Sequence, residues 1–315
     1  MNAKTWSPLT MLVTLIGVAA LLAGCGAASR SVATTSTTSE RAPAVRPLDV
    51  IDAPTKVADT AAGAVGYREV GTGSAILLIV GLGGSMDDWQ PAFVASLASD
   101  HKVVMFDNAG VGETILTSPL NITEMANQTS ALISTLGLGR VAVLGWSMGG
   151  MIAQALAVLH PAQVSKLVLA ATQPGTGHAL PIPPRAAAEA ASSNPGEILS
   201  VLFPPGDSAA AQAYVAGILR YPGFYQASRT TIAAQGRAIQ QWMAGRDQAS
   251  LRFGKVRLPL LVADGTLDQL DPSANDRSLA NGVQGGHLTL YPGAGHAFLF
   301  QDMASFLPVV ERFFR

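Results

Sequence analysis

The chain has 315 residues, enough for one large domain with an insertion or for two small ones. Apolar residues make up 49% and charged residues only 13%, so a sizeable core can be buried. The net charge is −1 and the Lys and Arg are scattered, which excludes a nucleic-acid binder built on basic clusters.

The N-terminus reads as an export signal and not as part of the fold. Lys4 and the terminal amine precede an apolar run at 9–23, shorter than the ~20 residues of a spanning helix. The run closes on LLAGC, residues 21–25, where Cys25 is the only cysteine. This ending resembles the bacterial lipoprotein signal. The resemblance implies that residues 1–24 are removed, that Cys25 carries lipid, and that the chain is anchored to the outer face of the cytoplasmic membrane. The alternative is an ordinary signal peptide with an incidental cysteine. With one thiol the chain forms no internal disulfide. Residues 26 to about 48 are rich in Ser, Thr and Ala and hold no aromatic residue. Residues 25–50 therefore read as a disordered tether, with the folded part beginning near Ile51.

Short β-type runs follow at 55–59 and 64–70, with a turn at 61–63. AILLIV (75–80) and HKVVMFD (101–107) are continuous apolar runs, as suits strands buried on both faces of a parallel sheet. Asn121 and Glu124 make an N-cap arrangement for a helix carrying Ile122, Met125, Leu132, Ile133 and Leu136, ended by Gly137. A strand at 140–144, a helix at 148–159 stopped by Pro161, and strands at 166–170, 260–263 and in HLTLY complete the pattern. Strands alternating with helices predict an α/β fold with a mostly parallel central sheet flanked by helices.

Between the strand at 140–144 and the helix at 148–159 stands LGWSMGG, which holds G-x-S-x-G as Gly145, Trp146, Ser147, Met148, Gly149. A strand–turn–helix context gives the motif meaning: a sharp turn lifts the serine above the sheet, and the flanking glycines let strand and helix approach. The helix N-terminus then faces the site with free N–H groups that favour developing negative charge. A serine hydroxyl needs a histidine to take its proton and a carboxylate to orient that histidine. Of five histidines, His101 opens a strand and reads as surface, His160 as a helix-end cap, and His287 as flanking a strand. His178 lies in an irregular segment, which leaves a pocket role open to it. His296, in YPGAGHAFLF after a strand, is the best base. The carboxylate candidates are Asp264, Asp268 and Asp271 in LPLLVADGTLDQLDP, and Asp271 before Pro272 suits a turn. Chemistry alone does not choose among them.

IVGLGGSMDDW, VVMFDNAGVGET, VAVLGWSMGGMIAQALAVLHP, the Asp-rich loop and GAGHAF together resemble the α/β-hydrolase fold family over about 56–315. The chain order Ser, Asp, His is that of this family. The resemblance implies Asp268 as the acid, in the spacing Gly265, two residues, Asp268, with Asp264 in reserve. It implies oxyanion donors at the backbone N–H groups of Leu82 and Met148. Val80 stands where the family usually has histidine and Ala109 where it usually has arginine, which weakens assignment to a narrow subfamily.

Residues 176–255 read as an inserted helical cap between two parts of the core, 51–175 and 256–315. Phe203, Tyr214, Phe224, Tyr225, Trp242 and Met243 either line a pocket for an apolar group or pack the cap on the core. The function implied is hydrolysis of a small-molecule carboxylic ester through an acyl-enzyme, with no cofactor, metal or nucleic acid. The alternatives are a cofactor-free perhydrolase or haloperoxidase-like enzyme, a carbon–carbon bond hydrolase, or a non-catalytic binding protein on this scaffold.

Overall fold

The first two strands, β1 (Lys56–Thr60) and β2 (Gly63–Val70), form an antiparallel hairpin. Its turn is closed locally: Thr60 Oγ1 donates to Gly63 O at 2.6 Å and accepts from Ala62 N–H at 3.1 Å. Six further strands are β3 (Ala75–Ile79), β4 (Lys102–Phe106), β5 (Val141–Trp146), β6 (Val164–Ala170), β7 (Leu260–Gly265) and β8 (His287–Tyr291). One eight-stranded sheet results, in the order β1-β2-β4-β3-β5-β6-β7-β8. β2 runs antiparallel to β4, and every pairing from β4 through β8 is parallel. The computed structural model describes residues 44–315. The expectations for the signal segment, for Cys25 and for the tether up to residue 43 lie outside the described residues.

The apolar runs are buried on both faces, as their lack of alternation predicts. Ile76, Leu78, Leu144, Val168 and Ala263 point to one side, where they meet α2 (Pro91–Ala98), α10 (Phe298–Gln301) and α11 (Met303–Phe314). Leu77, Ile79, Val143, Leu169 and Val262 point to the other. There they meet α3 (Ile122–Thr135), α4 (Met148–Leu159) and α9 (Ser273–Gly282). α3 begins as the sequence predicts, with Asn121 Oδ1 accepting Glu124 N–H at 2.9 Å.

Two expectations need correction. The tether does not extend to residue 50, because α1 (Pro47–Ile51) already buries Val50 and Ile51 against α2. Pro47 presets the first helical φ, and Arg46 closes on Asp49 through its backbone N–H at 2.8 Å and Nη2 at 2.7 Å. His101 is not a surface residue. Its ring lies against Phe314 at 6.4 Å between centroids, with Nδ1 2.9 Å from Ser74 Oγ. The C-terminal helix α11 covers the strand start, and burial lowers the His101 pKa.

Between β6 and β7 lie four helices: α5 (Pro184–Ala190), α6 (Pro195–Leu202), α7 (Ser208–Ile218) and α8 (Arg229–Met243). Among the described residues, no helix is long and apolar enough to cross a membrane.

Candidate active site

In the parallel part of the sheet all strands point their C-terminal ends to one edge, so the loops after β3, β5, β7 and β8 converge there. Those loops carry Leu82, Ser147, Asp268 and His296.

Ser147 sits between β5 and α4 at φ 59° and ψ −126°, a conformation that L-residues avoid. The turn is held on several sides. Ser147 N–H donates to Ala170 O at 2.9 Å, while Ser147 O accepts Thr172 Oγ1 at 2.7 Å and Gly150 N–H at 2.9 Å. The glycines of the motif are required by contact. A Cβ on Gly145 would stand 2.4 Å from Gly149 O, and one on Gly149 would stand 2.0 Å from Ile79 O. Gly81, on the loop after β3, lies close enough that its Cβ would be 3.4 Å from Ser147 Oγ. Among the described residues, the N–H groups of Leu82 and Met148 have no protein acceptor. They are thus available to an anion.

Of the three candidate aspartates, Asp268 is the one that lies at the imidazole. His296 Nδ1 lies 2.6 Å from Asp268 Oδ2, and both side chains are almost wholly buried. Asp268 Oδ1 accepts Leu270 N–H at 2.6 Å and Asp271 N–H at 3.0 Å. The carboxylate is fixed by its own loop and presents its second oxygen to the imidazole. With Nδ1–H donated to Asp268, Nε2 of His296 carries the lone pair, and no protein group is bonded to it. Trp146, the residue before Ser147, donates its indole N–H to His296 O at 3.0 Å, which ties the histidine loop to the serine turn.

Asp264 does not reach the histidine. Its Oδ1 accepts Gly265 N–H at 2.7 Å, and it groups with Asp271 and Asp276, ligand oxygens of the three lying within 4.8 Å of one another. Burial, then the neighbouring carboxylates, drive Asp264 and Asp271 far above the usual range, and burial brings Asp276 to about 7. Four oxygens of this trio lack a partner: Asp264 Oδ2, Asp271 Oδ2 and both of Asp276. Two protons shared with Asp276 satisfy all four, since a protonated carboxyl becomes a donor. Among the described residues this trio is the one group of acidic, His or Cys side chains close enough to hold a metal. The turn role expected for Asp271 is joined by this buried contact and by a bond from Asn275 Nδ2 at 2.9 Å.

The other histidines stand apart from the site. His178 and His287 are exposed, and His160 ends α4 with Nε2 2.9 Å from Asn127 Oδ1. Of the insertion's aromatic residues, Phe203, Tyr214 and Trp242 are buried in packing contacts, Tyr214 stacking on Phe300 at 4.9 Å. Tyr225 is 43% exposed.

Two residues that sequence reasoning did not single out hold the loop after β3. Asn108 Nδ2 donates to Val80 O and to Gly81 O, both at 2.8 Å. Gln235 of α8 accepts Gly83 N–H at 2.6 Å. The position of Asn108 in a glycine-rich loop was a usable signal; Gln235, 152 residues from its partner, offered none.

A strained serine at a strand–helix turn and a His–Asp pair on later loops of a parallel sheet define the class. Residues 74–302 match the alpha/beta hydrolase fold, and the chain belongs to that family. A Mycobacterium tuberculosis protein provisionally named non-heme bromoperoxidase BpoC is 28% identical over 266 residues, 79% of this chain and 96% of that one. The poly(3-hydroxyalkanoate) depolymerase of Ectopseudomonas oleovorans is 28% identical over 246 residues, 76% of this chain and 83% of that one. The solved structure of an alpha/beta hydrolase fold protein from Chitinophaga pinensis gives a TM-score of 0.74 at 24% identity, covering 84% of this chain and 98% of that one.

Proposed function

We propose that the protein is a serine hydrolase of carboxylic esters. The observation that carries this reading is the 2.6 Å bond from His296 to Asp268 at the sheet edge that also bears the strained Ser147. In this scheme His296 Nε2 takes the Ser147 proton as Oγ attacks the ester carbonyl. The oxyanion rests on the N–H groups of Leu82 and Met148, each such donor lowering the barrier by ~3 kcal/mol. His296 returns the proton to the leaving alcohol, and water then cleaves the acyl-enzyme. Asp268 keeps the imidazole in the required tautomer. The polyester-cleaving name of one relative supports ester chemistry. Ser147→Ala is expected to lower turnover of a short-chain nitrophenyl ester by ~10⁵-fold or more while the fold persists. Near-normal hydrolysis by that variant removes the scheme.

The bromoperoxidase name of another relative favours a second reading. Hydrogen peroxide replaces water at the acyl-enzyme and leaves as a peracid, with the same residues in the same roles. A halide-oxidation assay with acetate and peroxide, dependent on Ser147, separates it from plain hydrolysis.

We also propose, on the LLAGC ending alone, that lipid on Cys25 anchors the protein at the cell envelope. More than one acyl chain, at ~0.8 kcal/mol per buried methylene, is needed for stable anchoring. Cys25→Ala then moves the protein out of the membrane fraction; unchanged fractionation refutes the anchor.

A further inference from the structure

Helix α8 stands on two glycine-rich loops, GLGG at 81–84 and NAGVG at 108–112. Gln235 is fully buried and bridges both. Its Oε1 accepts Gly83 N–H at 2.6 Å, and its Nε2 donates to Ala109 O at 3.0 Å. Thr231, four residues earlier and so on the same helix face, donates to Gly110 O at 3.1 Å. A side chain underneath would be strained: Gly83 has φ +68°, and a Cβ there would lie in tight contact with Ile232, 3.3 Å from its Cγ1.

The consequence falls on Leu82. Its N–H shares a peptide plane with Gly81 O, which Asn108 holds at 2.8 Å. The next peptide plane ends in Gly83 N–H, which Gln235 holds. Both planes flanking the Leu82 Cα are thus fixed by side-chain amides, one from the loop after β4 and one from the insertion. An amide suits the task, because it pairs an N–H and a C=O at once without placing a charge beside a developing oxyanion.

We propose that Gln235 is a positioning residue that couples the seating of helix α8 to the aim of the Leu82 N–H. A substrate whose bulk keeps α8 from seating then loses kcat and not merely affinity, so acyl preference is expressed in the chemical step. The catalytic consequence rests on the acyl-transfer reading above; the coupling itself does not.

The full chain carrying Gln235→Leu or Gln235→Glu tests this. For a short-chain nitrophenyl ester, Gln235→Leu is expected to lower kcat by about 10- to 100-fold with KM within about threefold. Hydrogen exchange at the Gly84 amide, which bonds Gly81 O at 3.1 Å, reports the loop itself. It is expected to accelerate at least about tenfold, with β5 amides unchanged. Gln235→Glu restores both bonds while its carboxyl is protonated and loses the donor when it ionises, so its kcat relative to wild type falls as pH rises. Wild-type kcat together with wild-type Gly84 exchange in Gln235→Leu, or a loss carried by KM alone, overturns the proposal. If the wild-type chain shows no Ser147-dependent turnover, the acyl-transfer reading fails. The exchange result then decides alone: acceleration sustains the coupling and its absence overturns it.

Discussion

The serine side and the acid side of the site are built by different means. The serine turn is a backbone device. Its strain at φ 59° is locked by hydrogen bonds to Ala170 and Thr172, and by glycines whose absent side chains let β3, β5 and α4 close up. The acid side is a side-chain device. Four buried aspartates crowd one loop and the helix after it, and only Asp268 faces the histidine. A backbone constraint is written in adjacent residues, whereas a choice among like charges is made by folding. Removing a carboxylate is therefore a test of selection, and adding a methyl group is a test of fit.

Among the variants that test this contrast, the largest effect is expected from separating the aspartates. Asp268→Asn leaves His296 with the wrong tautomer and is expected to lower turnover by ~10⁴-fold. Asp264→Asn is expected to leave turnover within roughly tenfold, because its carboxylate does not touch the imidazole. Equal losses in the two variants, read by steady-state kinetics, erase the distinction between them.

The next effect belongs to the serine side. Gly149→Ala places a Cβ 2.0 Å from Ile79 O and 2.7 Å from Val80 O, both backbone atoms of the core. A loss of about 3 kcal/mol or more in urea unfolding is expected. A wild-type midpoint contradicts the packing argument.

The smallest effect is a pH dependence. Burial raises Asp264 and Asp271 and brings Asp276 to about 7, so the folded chain holds protons that the unfolded chain has released. Stability is then fully kept below the unfolded carboxylate range and falls as pH rises through the folded values. Between pH 8 and about 6.5 the melting temperature is expected to rise, and Asp276→Asn to flatten the slope. Below 6.5, His101 and His160 act in the opposite sense, because burial lowers their pKa and the unfolded imidazoles protonate first. A melting temperature that climbs with pH above 6.5 rules out proton sharing in the trio.

The same contrast sets what was legible in the residues. The strand runs, α4 at its full extent, and Ser147 with its glycine neighbours follow from local pattern, because neighbours in sequence impose them. His296 was reached by weighing five candidates on their flanks. Asp268 required the spacing of a known family, since three carboxylates in eight residues look alike until an imidazole arrives from 28 residues away. The burial of His101 escaped because its cover, Phe314, comes from the far end of the chain. Gln235 escaped for the same reason, its partners lying 152 and 126 residues off.

Reaction with a fluorophosphonate, followed by mass mapping of the adduct, tests the nucleophile most directly. The expected result is a single phosphonylated site on Ser147, formed far more slowly in His296→Ala and Asp268→Asn and at the wild-type rate in His160→Ala. No adduct, or an adduct on another residue with Ser147 unmodified, contradicts the mechanism at its root.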